Sequence, residues 1–166
     1  MTSGTVDQHE TRSAARLAAL QALYQLEMTG NAPNDVVAEF IQHRFGRDPE
    51  TGNIIPHDEA FFSDVVLGVL KHQVEIDRSV ARSLAAGWTL TRIDSILRAL
   101  LRAATYELVA RRDVPAKVVI DEYVELARDF FEGEEPRFVN AVLDRLAHRK
   151  RATEFGETPP DDELQF

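Results

Sequence analysis

The sequence contains no cysteine. That excludes disulfide staples, thiolate metal sites and a cysteine nucleophile, and it suits a reducing compartment. No apolar run approaches the roughly 20 residues that a membrane helix needs. Residues 1–10 are polar, carry Asp7 and Glu10, and lack the basic start and apolar stretch of a signal peptide. A cytoplasmic protein with no membrane association is expected. Basic charge is scarce as well: 19 Lys and Arg stand against 28 Asp and Glu, a net charge of −9. A surface sheathed in cations is thereby excluded, although a local basic stripe is not. No Walker loop, G-x-S-x-G elbow or G-x-G-x-x-G turn occurs, so the commonest nucleotide-binding and hydrolase signatures are missing.

What is present is apolar material at helical spacing. With 166 residues, 44% of them hydrophobic, the chain fits one domain with a real core. Leu17, Leu20, Leu23, Tyr24 and Leu26 predict a helix over 9–28, stopped by Gly30. Val36, Val37, Phe40 and Ile41 predict a second, capped by Asn31 or Asn34. Residues 47–57 hold Pro49, Gly52 and Pro56 and read as a loop. Asp58 is a suitable N-cap for a third helix through Phe61, Phe62, Val65, Val66, Val69 and Leu70. Val74, Ile76, Val80 and Leu84 extend that face toward Gly87 after a bend. A fourth helix, capped by Thr89 or Thr91, carries Ile93, Leu97, Leu100, Leu101 and Leu108. Pro115 opens a fifth with Val119, Tyr123 and Leu126, and Pro136 a sixth with Val139, Leu143 and Leu146. The expected fold is all-α, a compact helical bundle over 9–150 between a disordered head at 1–8 and an acidic disordered tail at 151–166.

Few constellations suggest chemistry. Glu39 and His43 lie four apart on a helix, but the Glu-x-x-His pairs of a di-metal bundle do not occur, and a solvated face explains them. No metal, cofactor or catalytic residue is expected. Arg12, Arg16, Leu20 and Tyr24 form one slowly drifting row, since each step of four turns a helix about 40° past a full turn. Two guanidinium forks can grip phosphate, and Tyr24 adds a flat face. The same pattern fits two ordinary surface arginines and a core tyrosine. Arg145, His148, Arg149, Lys150 and Arg151 suit the dipole at a helix C-terminus. Arg98 and Arg102 sit on an otherwise apolar helix, so one of them should reach the surface or a carboxylate. Phe130, Phe131 and Phe138 flank the acidic turn 132–135, either as a partner-binding corner or as pins for the last helix.

Gln21-Ala22-Leu23-Tyr24 after Arg12 and Arg16, then Gly68-Val69, Leu101-Arg102 with Tyr106-Glu107-Leu108, Asp113-Val114-Pro115 with Lys117-Val118, Glu125-Leu126-Ala127, and Phe138-Val139-Asn140 with Val142-Leu143-Asp144 occur in that order. This pattern resembles the NusB family over about 12–147. The resemblance implies an all-α fold of two small lobes, 9–87 and 88–150. It implies a non-enzymatic factor, monomeric or homodimeric, that binds boxA RNA together with the ribosomal protein NusE. That pair joins the RNA polymerase antitermination complex, notably on ribosomal RNA. By the same resemblance, Arg12, Arg16, Gln21 and Arg102 fall in the RNA-binding surface, with Ser13 and Ala14 where the family often carries more arginine. Tyr24, Phe130 and Phe138 match aromatics that face NusE, Glu134 stands for an aspartate there, and Asp94 for an acidic interface residue. Two other classes share the helical pattern: an RNA-binding domain related to RNA methyltransferases, and a protein-interaction module without RNA.

Overall fold

The computed structural model describes residues 8–44, 48, 50–53 and 58–160. Among these residues every regular element is helical. The chain divides into two compact units, one up to Gly68 and one from Val69 onward. The division falls inside a helix, Glu59–Lys71.

In the first unit, α1 spans Gln8–Thr29 and buries Ala15, Ala18, Ala19, Leu20, Ala22, Leu23 and Leu26. Alanine has the best intrinsic helix propensity and lets neighbouring elements approach closely. The helix stops where expected: Gly30 adopts φ 68° and donates its N–H to the Leu26 carbonyl at 3.0 Å. Helix α2, Pro33–Glu39, is capped differently from the sequence reading. Ala32 holds the N-cap position without a side-chain bond, and Pro33 opens the helix. Neither Asn31 nor Asn34 is needed, because proline sets the first helical φ and has no N–H to satisfy. The chain continues as a π-helical turn, Phe40–Arg44. Phe40 stacks on Phe62 with ring centroids 5.7 Å apart. Phe62 belongs to α3, Glu59–Lys71, whose N-terminus Asp58 caps by accepting the Phe61 N–H at 2.9 Å. Each of these buried phenylalanines is worth about 2 kcal/mol in transfer alone. The expected head residues 1–7, and Arg47, Pro49 and 54–57 of the expected loop, lie outside the described residues.

The second unit is a four-helix arrangement. The anticipated bend falls at His72 (φ −111°, ψ 20°) and separates α3 from α4, Gln73–Ser83. Helix α4 packs on α5, Ser95–Ala110, and on α7, Glu135–Lys150, so it belongs with the later helices and not with the first lobe. Helix α6 spans Ala116–Phe130 and makes its broadest contact with α7. Central α5 touches α4, α6 and α7, which explains why it is buried nearly all round. Its cap is Asp94, which accepts the N–H groups of Ile96 (2.9 Å) and Leu97 (3.3 Å). Of the caps expected from sequence, Thr89 instead precedes a short 3-10 turn, Leu90–Arg92, and Thr91 lies inside it.

Residues 151–157 also depart from the expected disordered tail. Ala152–Phe155 form a 3-10 turn closed by Gly156 at φ 71°. Arg151 is buried, donates to the carbonyls of Leu108 and Val114, and pairs with Glu154 at 2.8 Å. Burial pulls its guanidinium below the usual range, against the opposing influence of Glu154. Glu154 in turn accepts the N–H of Ala116 at 3.2 Å, an orphan donor at the start of α6. Residues 161–166 lie outside the described residues.

Candidate nucleic-acid interface

In the first unit, Arg12 and Arg16 come together over one ring. Their guanidinium carbons stand 5.0 and 5.2 Å from the centroid of Phe61. Arg12 is half-buried and its Nε lies 3.9 Å from Asp58 Oδ2. Arg16 is only 1% exposed. The first turn of α3 thus supplies both an aromatic floor and a capping carboxylate to two arginines of α1. A ring face attracts a guanidinium without neutralising it, unlike a carboxylate. Phe61 was legible in the sequence only as a core position; its one signal was an aromatic three residues after a strong N-cap.

Gln21 does not share that face. Nine residues from Arg12 amount to two and a half turns, which puts Gln21 on the opposite side of α1. It lies instead among Leu17, Tyr24 and Met28, all exposed, in a stripe at spacings of four, three and four. The drifting row that begins with Arg12 therefore ends on a different surface from the one where it starts.

In the second unit, Arg102 is already engaged. Its Nε and Nη2 reach the two carboxylate oxygens of Asp77 at 2.8 and 3.0 Å, a bidentate pair between α5 and α4. Arg98 donates to the carbonyls of Leu90 (3.2 Å) and Ile93 (3.0 Å). The carboxylate expected for one of these two arginines is Asp77. Asp94, expected at an interface, spends its carboxylate on the α5 cap. Phe130 is exposed at the end of α6, and exposed Glu134 lies 3.6 Å from Arg137. Phe138 is half-buried because Trp88 covers it, with centroids 5.7 Å apart and planes tilted 42°. Trp88 read from sequence only as part of a connection, yet it is 54% exposed.

The basic group near the end of α7 disperses. Arg145 donates to the Ser83 carbonyl at 2.7 Å and Arg149 to the Ser79 carbonyl at 3.1 Å, so these cations serve the C-terminal end of α4. His148 sits between Asp144 at 3.5 Å and Glu157, stacked on Phe155 at 4.1 Å. Among the described residues no three His, Asp or Glu side chains are placed to hold a metal ion, and no helix is long and apolar enough to cross a membrane.

Fold and surface define an all-helical protein whose distinctive side chains are arginines and exposed aromatics. Comparison with known proteins gives that class a family. The NusB family profile matches residues 13–148. The transcription antitermination protein NusB of Rhodopseudomonas palustris (strain BisB18) is 53% identical over 144 residues, spanning 87% of this chain and 85% of that protein. The protein of the same name from Caulobacter vibrioides is 49% identical over 142 residues, spanning 86% and 95%. Among solved structures, T. maritima NusB superposes with a TM-score of 0.73 at 28% identity, over 87% of this chain and 96% of that one. A structure of antitermination factors NusB and NusE in complex with dsRNA shares the fold, with a TM-score of 0.68 at 21% identity over 82% and 96%. The chain belongs to the NusB family.

Proposed function

We propose that this protein is a cytoplasmic transcription antitermination factor. It acts by binding and not by catalysis. In this reading it binds boxA RNA jointly with the ribosomal protein NusE and joins the RNA polymerase antitermination complex, notably in ribosomal RNA transcription. The observation that carries the reading is the pair of guanidinium groups, Arg12 and Arg16, supported on Phe61. Near half identity to NusB proteins across most of both chains supports it.

The roles divide by exposure. Half-buried Arg12 meets a phosphate, while buried Arg16 positions α1 against the ring. Arg102 reaches RNA by exchanging the oxygens of Asp77 for those of a phosphate, which the guanidinium fork fits equally well. Gln21, on the far side of α1, meets RNA only where the strand passes between the two proteins. Tyr24, Phe130 and Phe138 offer aromatic area to NusE, with Glu134 and the backbone-held Asp94 as acidic contacts. A net charge of −9 favours a basic protein partner and speeds encounter with it.

An electrophoretic shift assay with boxA RNA, with and without NusE, tests this across ionic strength. The complex should form best with both components and weaken steeply with salt. Arg12→Ala should cost about 1 kcal/mol of RNA affinity. A salt-indifferent complex, or one unaffected by NusE, overturns the reading.

A further inference from the structure

We propose that the surface offered to the ribosomal protein continues past Phe130 and Glu134 into a groove between α6 and α7, and that this groove takes an extended, lysine- or arginine-bearing segment of the same partner. The proposal rests on the antitermination reading and adds a second contact, on residues to which the family resemblance gives no role.

Helix α6 ends in two consecutive phenylalanines, and the backbone separates their duties. Phe130 closes the helix and is exposed, whereas Phe131 is already extended (φ −133°, ψ 135°) and half-buried. Phe131 lines a groove of about 660 Å³ walled by α6 and the first turns of α7. Buried Val124 and half-buried Pro136 complete its apolar lining. Asp121, Glu125 and Arg128 recur at spacings of four and three along one wall, and Arg137 and Asn140 at a spacing of three along the other. From Asp121 to Arg128 is about 10 Å of helix axis. About three residues of extended chain cover that length. Phe130 and Glu134 each stand one residue from a member of the groove, Phe131 and Gly133, so a segment leaving the partner-facing surface enters it directly.

The charges select the occupant. Both arginines are answered locally: Arg128 donates to Glu125 at 2.8 Å, and Arg137 lies 3.6 Å from Glu134. Asp121 and Glu132 are exposed, and among the described residues neither has an ion pair. Glu135 adds an acceptor at the same turn. Its Oε2 lies 2.9 Å from where a Gly133 side chain would begin and is buried without a hydrogen-bond partner among the described residues. An acceptor left unmet is costly, and a cationic donor docking at the turn would relieve that cost. Residues 117–137 hold seven acids against three bases, so nearly half of the net charge of −9 is concentrated on this stretch. Phosphate is repelled by such a surface, whereas lysine and arginine find acceptors beside an apolar lining that receives their stems.

Titration calorimetry of the full-length chain with NusE, across ionic strength, tests the groove. Asp121→Lys combined with Glu132→Lys should weaken binding about tenfold and flatten its salt dependence, because like charges then meet. Asp121→Asn with Glu132→Gln should weaken it less. Glu39→Lys with Glu50→Lys makes the same change in net charge on exposed residues of the first unit, and should leave the affinity within about twofold. The substituted side chains are all exposed, so each variant should keep the thermal midpoint of the parent chain. Groove variants that bind NusE as tightly as the parent overturn the proposal and leave the antitermination reading intact, even if they alter RNA binding, which would make the groove an RNA track. So does a first-unit pair that weakens binding equally, which would reduce the effect to net charge. A parent chain that fails to bind NusE overturns both.

Discussion

The two units treat their arginines in opposite ways. In the first, Arg12 and Arg16 lie on the ring of Phe61, and the Arg12 Nε stands 3.9 Å from Asp58 Oδ2. In the second, Arg102 is clamped by both oxygens of Asp77, and Arg151 is buried among carbonyls beside Glu154. A quadrupole holds a cation and leaves its charge expressed; a bidentate carboxylate holds it and cancels the charge. Arginines of the first kind lie on a ring face. Those of the second kind are bolts between elements. Among the described residues, the first kind sits toward the N-terminal end of α1.

The strongest way to break the contrast is Phe61→Ala. It removes a fully buried ring and the floor beneath two guanidinium groups, so we expect a stability loss of about 3–5 kcal/mol in urea unfolding. RNA affinity should also fall when measured on the folded variant in the cold. An unchanged affinity would mean that the ring is only core. Next in size is Arg151→Met, which keeps much of the volume but leaves the Leu108 and Val114 carbonyls without their donors. A loss of about 2–3 kcal/mol is expected, with RNA affinity untouched. A fall in RNA affinity would move Arg151 out of the structural class. The smallest effect belongs to Asp77→Asn. The partly exposed pair is worth about 1 kcal/mol, and its loss releases the charge of Arg102. If releasing that charge fails to strengthen RNA binding, Arg102 is a bolt and nothing more.

Local chemistry was legible in the sequence. Asp58 caps α3 and Gly30 stops α1 because both acts involve neighbours within four residues. The all-α class followed from periodicity. What was hidden depends on partners remote in the chain. Spacing told which face Arg102 occupies, but Asp77 lies 25 residues away. Phe61 looked like any core aromatic, and nothing in α1 pointed to it. Two threonines, Thr89 and Thr91, were read as the cap of α5, and both lost because Asp94 stands next to the first helical residue, Ser95. The bend at His72 was anticipated but not placed, because the apolar face runs on from Phe61 to Val80 while the bend itself is a backbone event. Proline and acid made 151–166 look like a tail, although Arg151 reaches back 43 residues to Leu108.

That reach has a consequence in time. The first turn of α6 is capped by Glu154, 38 residues downstream of Ala116. A ribosome adding about 5–20 residues per second delivers that carboxylate roughly two to eight seconds after the helix start it serves. Through that interval the nascent α6 meets only water at its first N–H. The first unit has by then been synthesised in full, whereas the second finishes only when the 3-10 turn beyond α7 folds back. Synthesis and closure therefore run in opposite directions through the second unit, and a chain cut anywhere before Glu154 leaves that unit uncapped.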